Sequence, residues 1–305
     1  MLKIGVIRGG MSNEYDTSLS SGGNILAHLR SEKLNNKYKT FDVLVDKAGV
    51  WHLNGIPTNF KKLAESIDVA INTLYGEFGQ DGEVQRILES YNIPYTGSNS
   101  LSSEFVFNKD FLKKHLNKND IKTPRHIIIP AYQKDFDGDE ENYAQKKARE
   151  VFEKFSPPWI IKPLTSGSSL AMHVCKTLPE LVRVFQLEEI LKISVIVEEM
   201  IIGKQANISV IKNFRGKELY TTLPGDFSTE EKRELENLAT HMHSTLGLGH
   251  FSQSEFVVSP KKGIYALNVS TLPVLAQNAL LEKHLLALGV DKVQFIEHII
   301  GLALE

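Results

Sequence analysis

Short apolar runs rich in β-branched residues alternate with segments of helical period through the first third of the chain. Lys3 to Arg8, Phe41 to Val45 and Asp68 to Leu74 read as strands, and Gly22 to Arg30 and Asp81 to Tyr91 as helices. Such alternation predicts βαβ units and a parallel sheet. Phosphates and small ligands bind a parallel sheet beyond the C-terminal ends of its strands. That rule directs attention to Gly9-Gly10 and to the loop Gly76 to Gly82. Pro94, Gly97 and the stretch Ser98 to Ser103 then interrupt the pattern and set a boundary near residue 98.

Beyond it, Asn108 to Asn119 predicts a basic amphipathic helix, and Lys122 to Pro130 a linker and strand. Asp135 to Asn142 reads as a solvated acidic loop before a helix over Tyr143 to Phe155. The strand Trp159 to Lys162, a Ser/Gly loop from Thr165 to Ser169 and a helix over Leu178 to Leu187 follow. A second sheet is expected from Ser194 to Glu199, Ala206 to Lys212, Glu218 to Leu223, His250 to Val258 and Ile264 to Val269, with the helix Thr229 to Leu246 inserted. Helical patterning from Ala279 to Leu304 closes the chain, and no internal repeat is detectable. The prediction is an α/β protein with an N-terminal α/β domain over 1–98 and two α+β lobes, 99–187 and 188–305.

Composition narrows the function classes. The 305 residues are 24% charged and 42% hydrophobic, with 35 Lys and Arg against 37 Asp and Glu, a formal net charge of -2. No basic excess supports nucleic acid as the main partner. One cysteine, Cys175, excludes an intramolecular disulfide and a CxxC metal site, and reads as a small buried thiol. The apolar part of the N-terminus is too short for a signal peptide, and no apolar stretch approaches the roughly 20 residues that span a bilayer, so a cytoplasmic protein is expected. His241 and His243 point apart on a helix and form no metal pair.

Lys162-Pro163 followed by Thr165-Ser166-Gly167-Ser168-Ser169 offers a strand-end cation and clustered N–H and O–H donors suited to phosphate oxygens. It lacks the G-x-x-x-x-G-K-[ST] pattern, and a serine-rich turn alone is more often merely a turn. Lys109 is a second cation upstream. In the strand VIVEEMII, Glu198 and Glu199 face opposite ways, so one must meet solvent or a ligand. An edge strand with a solvated glutamate explains that equally well. In the glycine-rich loop Tyr75 to Gly82, Asp81 suits the N-cap or first turn of the next helix. Ser18 is a candidate cap for the helix after Gly9-Gly10, near Glu14.

In order along the chain, these pieces resemble the D-alanine:D-alanine ligase family of the ATP-grasp superfamily. Gly9-Gly10, Ser12, Glu14 and Ser18 are similar to its GG-x-S-x-E-x-x-x-S opening, and Tyr75 to Gly82 to its HGxxGEDG loop. Ile93 to Ser98 resembles IPYxGS, Asn108-Lys109 the DK pair, and Lys162-Pro163 with Gly167-Ser168-Ser169 the KPxxxGSS element. Val197-Glu198-Glu199 with Gly203 matches the adenine-side hinge, and Asn268 to Pro273 the EVNTLP segment. The resemblance implies an ATP-grasp fold. It also implies transfer of the γ-phosphoryl of Mg-ATP to one D-alanine carboxylate, followed by attack of a second D-alanine amine, a peptidoglycan-precursor step carried out by a homodimer. It assigns phosphates to Lys109 and Lys162, loop closure to Ser168 and Ser169, adenine to Glu198 and Glu199, ribose to Gln205, and the first amino acid to Glu14. Magnesium falls to Glu255, Asn268 and Ser270.

Departures gather where that chemistry is most demanding. The family's Asp, Glu and Asn at the magnesium positions correspond to Glu255, Asn268 and Ser270, leaving one carboxylate for cations that prefer anionic oxygens. Gln253 replaces a phosphate-side Arg, Gln205 a ribose-binding Glu, Ser166 the acidic residue before GSS and Tyr75 the His of HGxxG. Val274 stands for Gly, and Ala279 for the Ser that holds the second substrate's carboxylate. Tyr220 to Asp226 runs almost directly into the helix at Thr229, where the family inserts a lid shielding the acyl phosphate from water. The expectation is a divergent ligase homologue that keeps weak nucleotide affinity while its ligation is impaired or changed. An active ATP-dependent carboxylate–amine ligase and a non-catalytic, self-associating scaffold are the alternatives.

Overall fold

A computed structural model of the chain describes residues 1–165, 172–222 and 225–305. The chain divides into two compact units. One comprises Met1–Val106, Asn207–Glu255 and Val269–Glu305, the other Phe107–Ala206 and Phe256–Asn268.

The first stretch of unit 1 runs β1 (Leu2–Gly9), α1 (Tyr15–Leu29), β2 (Tyr38–Val45), β3 (Trp51–Leu53), β4 (Ile56–Pro57), α2 (Phe60–Ser66), β5 (Val69–Asn72), α3 (Glu83–Ser90) and α4 (Ser100–Phe107). The sheet has the order β4-β3-β2-β1-β5, with β1 parallel to both β2 and β5, as the βαβ pattern predicts. Central β1 is apolar on both faces because both are covered. Ile4 and Val6 pack with Ile25 and Leu29 of α1, while Ile7 packs with Val43, Leu63 and Leu88 on the opposite side. The hairpin β3–β4 is an addition to the expected architecture. Its turn is Asn54-Gly55, both at positive φ, the pair that suits a two-residue hairpin. Helices α2 and α4 are additions as well, and the serines expected to be loop begin α4 at Ser100.

Next come α5 (Lys109–Lys118), β6 (His126–Ile129), α6 (Lys134–Asp137), α7 (Glu140–Lys154), β7 (Trp159–Pro163), β8 (His173–Cys175), α8 (Leu178–Phe185), α9 (Glu188–Leu191) and β9 (Val195–Glu199). They form an antiparallel sheet, β6-β9-β7-β8. Alternation sorts its faces: Ile129, Trp159, Ile161, Val195 and Val197 pack with Ala148 and Val151 of α7 and Leu181 of α8. The acidic segment before α7 is more helical than its composition suggests, since Lys134–Asp137 forms a turn of helix and Asp139 caps α7 by accepting from Asn142 N. Cys175 is buried, and burial, helped by Glu180, pushes its thiol up to about 11.

The chain closes with β10 (Lys204–Phe214), β11 (Lys217–Thr221), α10 (Thr229–Thr245), β12 (Phe251–Ser259), β13 (Gly263–Ser270), α11 (Leu280–Ala287) and α12 (Lys292–Ala303). The sheet order is β11-β10-β12-β13. The apolar period after residue 279 is broken at Gly289, which has φ 67, and Asp291 restarts it by capping α12. No described helix is long and apolar enough to cross a membrane.

Candidate functional site

Strand register in unit 2 builds a charged cluster. Ile160 pairs with Glu198, and Lys162 with Ile196, so period two places Lys162 and Glu198 diagonally on the sheet face away from α7 and α8. Glu198 is 1% exposed and lies between two lysines: Lys162 Nζ is 3.1 Å from Oε2 and Lys113 Nζ 3.1 Å from Oε1. Lys113, 1% exposed, also donates to the Leu267 carbonyl at 3.4 Å. Burial works to raise the Glu198 carboxyl, but the two ammonium groups overcome it and hold the group below its ordinary range. Burial likewise lowers Lys113, against the pull of Glu198.

Lys113 is the member that the sequence reading missed. Asn108 caps α5, accepting from Asp110 N and Phe111 N, and the helix buries Lys109, Leu112, Lys113 and Leu116. That i, i+3, i+4, i+7 stripe puts both lysines on the inward face. The Lys109 backbone N–H donates to the Leu164 carbonyl, and Asn108 bridges Thr165, so α5 starts beside the end of the Lys162 strand. Asp110 lies 3.2 Å from His126 Nε2, a second tie between α5 and the sheet.

Glu199 faces the other way. Its Oε2 accepts from Arg125 Nε at 3.0 Å and Nη2 at 2.8 Å, and its Oε1 from Arg125 N at 3.0 Å. These bonds outweigh burial and hold its carboxyl low. Because β9 is an interior strand and both glutamates are paired, the reading of an edge strand with a solvated glutamate is overturned. Gln205 is the second residue of β10 and is exposed. Ser168 and Ser169 lie outside the described residues.

In unit 1 the loops after β1 and β5 meet. Ser18 sits inside α1 rather than capping it, accepting from Gly9 N at 2.8 Å and donating to the Thr73 carbonyl at 2.6 Å. Gly82, with φ 91, takes the cap position of α3, while Asp81 accepts from Phe78 N and Glu83 N. Glu14 Oε1 lies against Gly76, and burial raises its carboxyl, which has no hydrogen-bond or ion-pair partner among the described residues. Tyr75 is 2% exposed; its hydroxyl donates to Ser21 Oγ at 3.0 Å and accepts from Leu275 N at 2.9 Å. The Leu275 carbonyl in turn accepts from Asn24 and Lys292, each at 2.9 Å.

The three positions assigned to magnesium differ in surroundings. Ser270 Oγ accepts from Gln80 Nε2 at 3.4 Å and Leu272 N at 3.3 Å, tying it within unit 1. Asn268 is half-buried in β13, and Glu255 lies on β12 with interactions of its own. One carboxylate, one amide and one hydroxyl already accepting two hydrogen bonds do not fit a pair of hard dications, which take anionic oxygens. Among the described residues no three His, Cys, Asp or Glu side chains converge as a metal site.

The family model described as D-ala D-ala ligase C-terminus matches residues 125–222. The D-alanine--D-alanine ligase of Clostridium beijerinckii is 28% identical over 323 residues, covering 100% of this chain and 99% of that protein. Among solved structures, the VanG D-Ala:D-Ser ligase from Enterococcus faecalis superposes with TM-score 0.84 at 22% identity, over 99% of each chain. The D-alanine--D-alanine ligase from Bacillus anthracis complexed with ATP superposes with TM-score 0.78 at 25% identity, covering 100% of this chain and 97% of that one. The fold is the ATP-grasp fold. Over its full length the chain is similar to D-alanine--D-alanine ligases, and residues 125–222 match the C-terminal model of that family.

Proposed function

We propose that this ATP-grasp protein binds nucleotide, through Lys109 and Lys162 on the phosphates, Glu198 and Glu199 on the adenine side and Gln205 on the ribose, and that its ligation of two D-alanines is impaired or changed. The observation that carries the reading is the donor set Glu255, Asn268 and Ser270. One carboxylate stands there, and the Ser270 hydroxyl is engaged by Gln80 and Leu272. A unit charge about 4 Å from a dication is worth on the order of 8 kcal/mol at an effective dielectric near 20, so its loss weakens metal binding even after water and phosphate oxygens compensate.

Bound ATP supplies phosphoryl activation of a carboxylate. The chain's own part is electrostatic: Lys162 and Lys109 bring positive charge to the phosphates, and Glu14 meets a substrate ammonium. Two features oppose completion of the reaction. Residues 222–228 alone join β11 to α10, leaving little chain to shield an acyl phosphate from water. The Leu275 N–H, in the segment matched to the second amino acid's site, is occupied by Tyr75. A cytoplasmic homodimer organised as three lobes, 1–98, 99–187 and 188–305, belongs to the same reading.

Thermal-shift titration with ATP, paired with an ADP-release assay on D-alanine and mass detection of the dipeptide, tests it. ATP is expected to raise Tm while no dipeptide accumulates. D-alanyl-D-alanine formed at about 1 per second or faster would make the chain an active ligase and overturn the reading. The full-length match to named ligases makes that outcome the second reading.

A further inference from the structure

The buried cluster of unit 2 carries one surplus positive charge: Lys113 and Lys162 share a single carboxylate, Glu198. The two lysines are not equivalent. Lys113 has a side chain 1% exposed, anchored by Glu198 Oε1 and by the Leu267 carbonyl, while the Lys162 side chain is 16% exposed at the outer edge of the cluster. An anion arriving from solvent meets Lys162 first. Were Glu198 paired with Lys162 alone, an anion would have to break a buried ion pair and strand the carboxylate, which is strongly unfavourable.

We propose that Lys113 is a positioning residue that neutralises Glu198 and thereby leaves the charge of Lys162 available to the nucleotide phosphates, an inference that rests on the nucleotide reading above. Lys113 itself does not reach the phosphates. Its attachment to α5, whose buried stripe also carries Lys109, keeps the neutralising charge in place whether or not an anion is present. Glu198 is correspondingly shared: it holds Lys162 in position without anion and stays paired with Lys113 when Lys162 turns to one.

Calorimetric titration of ATP with magnesium into the full chain and its variants tests this. Lys113→Met commits Lys162 to Glu198 and is expected to weaken ATP by about tenfold or more. Glu198→Gln removes the need for neutralisation, so Lys113→Met/Glu198→Gln is expected to bind within about threefold of Glu198→Gln alone, a recovery that a purely structural lysine would not produce. If Lys113→Met fails to fold, the comparison of Glu198→Gln with the double variant decides alone. Equal affinity in wild type and Lys113→Met overturns the inference. So does a double variant about tenfold weaker than Glu198→Gln, because Lys113 would then act on the phosphates directly. A wild type that binds no ATP overturns the nucleotide reading and this inference together.

Discussion

The hydroxyl of Tyr75 accepts the backbone N–H of Leu275 across 200 residues of sequence, at 2.9 Å. It also donates to Ser21 in α1, so one phenol joins the loop after β5, the first helix and the segment ahead of α11. Gln80 supports the same junction: its Oε1 accepts from Gly76 N, and its Nε2 donates to the Leu272 carbonyl at 3.2 Å. Loop positions that the resemblance assigns to substrate are thus held by the chain's own side chains.

Tyr75→Phe is therefore expected to destabilise the protein by about 1–3 kcal/mol, since the buried Leu275 N–H loses its acceptor while the ring still packs. Urea denaturation measures this. In the wild type, burial pushes the phenol up to about 12, against the Ser21 and Leu275 hydrogen bonds. Absorbance titration should show this tyrosine ionising only near that pH or on unfolding.

Glu198→Ala is expected to be more severe. It leaves Lys113, 1% exposed, facing Lys162 without a carboxylate between them. Removing one partner from a buried ionic group typically costs about 3–5 kcal/mol. The Lys192–Glu188 pair at α9 is a control: its side chains are 68% and 80% exposed, and Glu188→Ala should leave stability almost unchanged. Similar losses for the two variants would contradict the picture of a buried, coupled cluster.

The sequence made the parallel sheet legible because β1, β2 and β5 show their apolar period, but it ran the last two helices together over Ala279 to Leu304, where the structure breaks them at Gly289 and restarts at Asp291. It hid β3 and β4, which are three and two residues long and signalled only by Asn54-Gly55. Helix α4 was hidden for another reason. Its serine-rich start is stabilised by distant Glu89, which accepts from Ser100 N at 3.0 Å and Ser100 Oγ at 2.7 Å. At the candidate site, Lys162 and Glu198 stood out as a strand-end cation and a paired acid, but their partnership depends on the β7–β9 register, which local pattern does not encode. Lys113 looked like one more surface lysine of a basic helix, although its spacing from Lys109, Leu112 and Leu116 already placed it on the buried stripe.

Gly79→Ala should disrupt the loop before α3. A Cβ there would sit 2.1 Å from the Leu74 carbonyl oxygen and 2.5 Å from Leu74 Cβ, and backbone cannot yield as a flexible side chain does. The Gly79 carbonyl also accepts from Asn72 and Gln85, so the loop cannot shift without breaking buried hydrogen bonds. A loss of about 1–3 kcal/mol or more is expected on thermal or urea denaturation. Gly23→Ala, whose Cβ meets nothing within 4 Å, should be tolerated.

Acid should weaken the protein before its carboxylates titrate. Both His243 and His250 are lowered from 6.5 to about 4, chiefly by burial, with Lys212 contributing to both and His298 to His250, while the Gly249 backbone opposes the shift at His243. Each ring is held neutral: His243 Nδ1 meets Ser252 Oγ at 2.8 Å, and His250 Nδ1 accepts from Gly97 N at 3.1 Å. Below 6.5 the unfolded chain takes up protons that the folded chain refuses, so stability is full above 6.5 and falls as pH drops towards 4, with a slope approaching two protons. The low-lying carboxylates Glu198 and Glu199 add a loss of the same sign, but only below their ordinary value of 4.5. Between 6.5 and 4.5 His284, which burial also lowers, adds to the decline, while Glu14, whose carboxyl burial raises above 4.5, opposes it. Denaturation free energies measured across that interval should decline in the wild type, and His250→Asn, which keeps an acceptor for Gly97 N, should make the decline shallower. A flat wild-type profile through that interval would show that neither imidazole is held neutral by the fold.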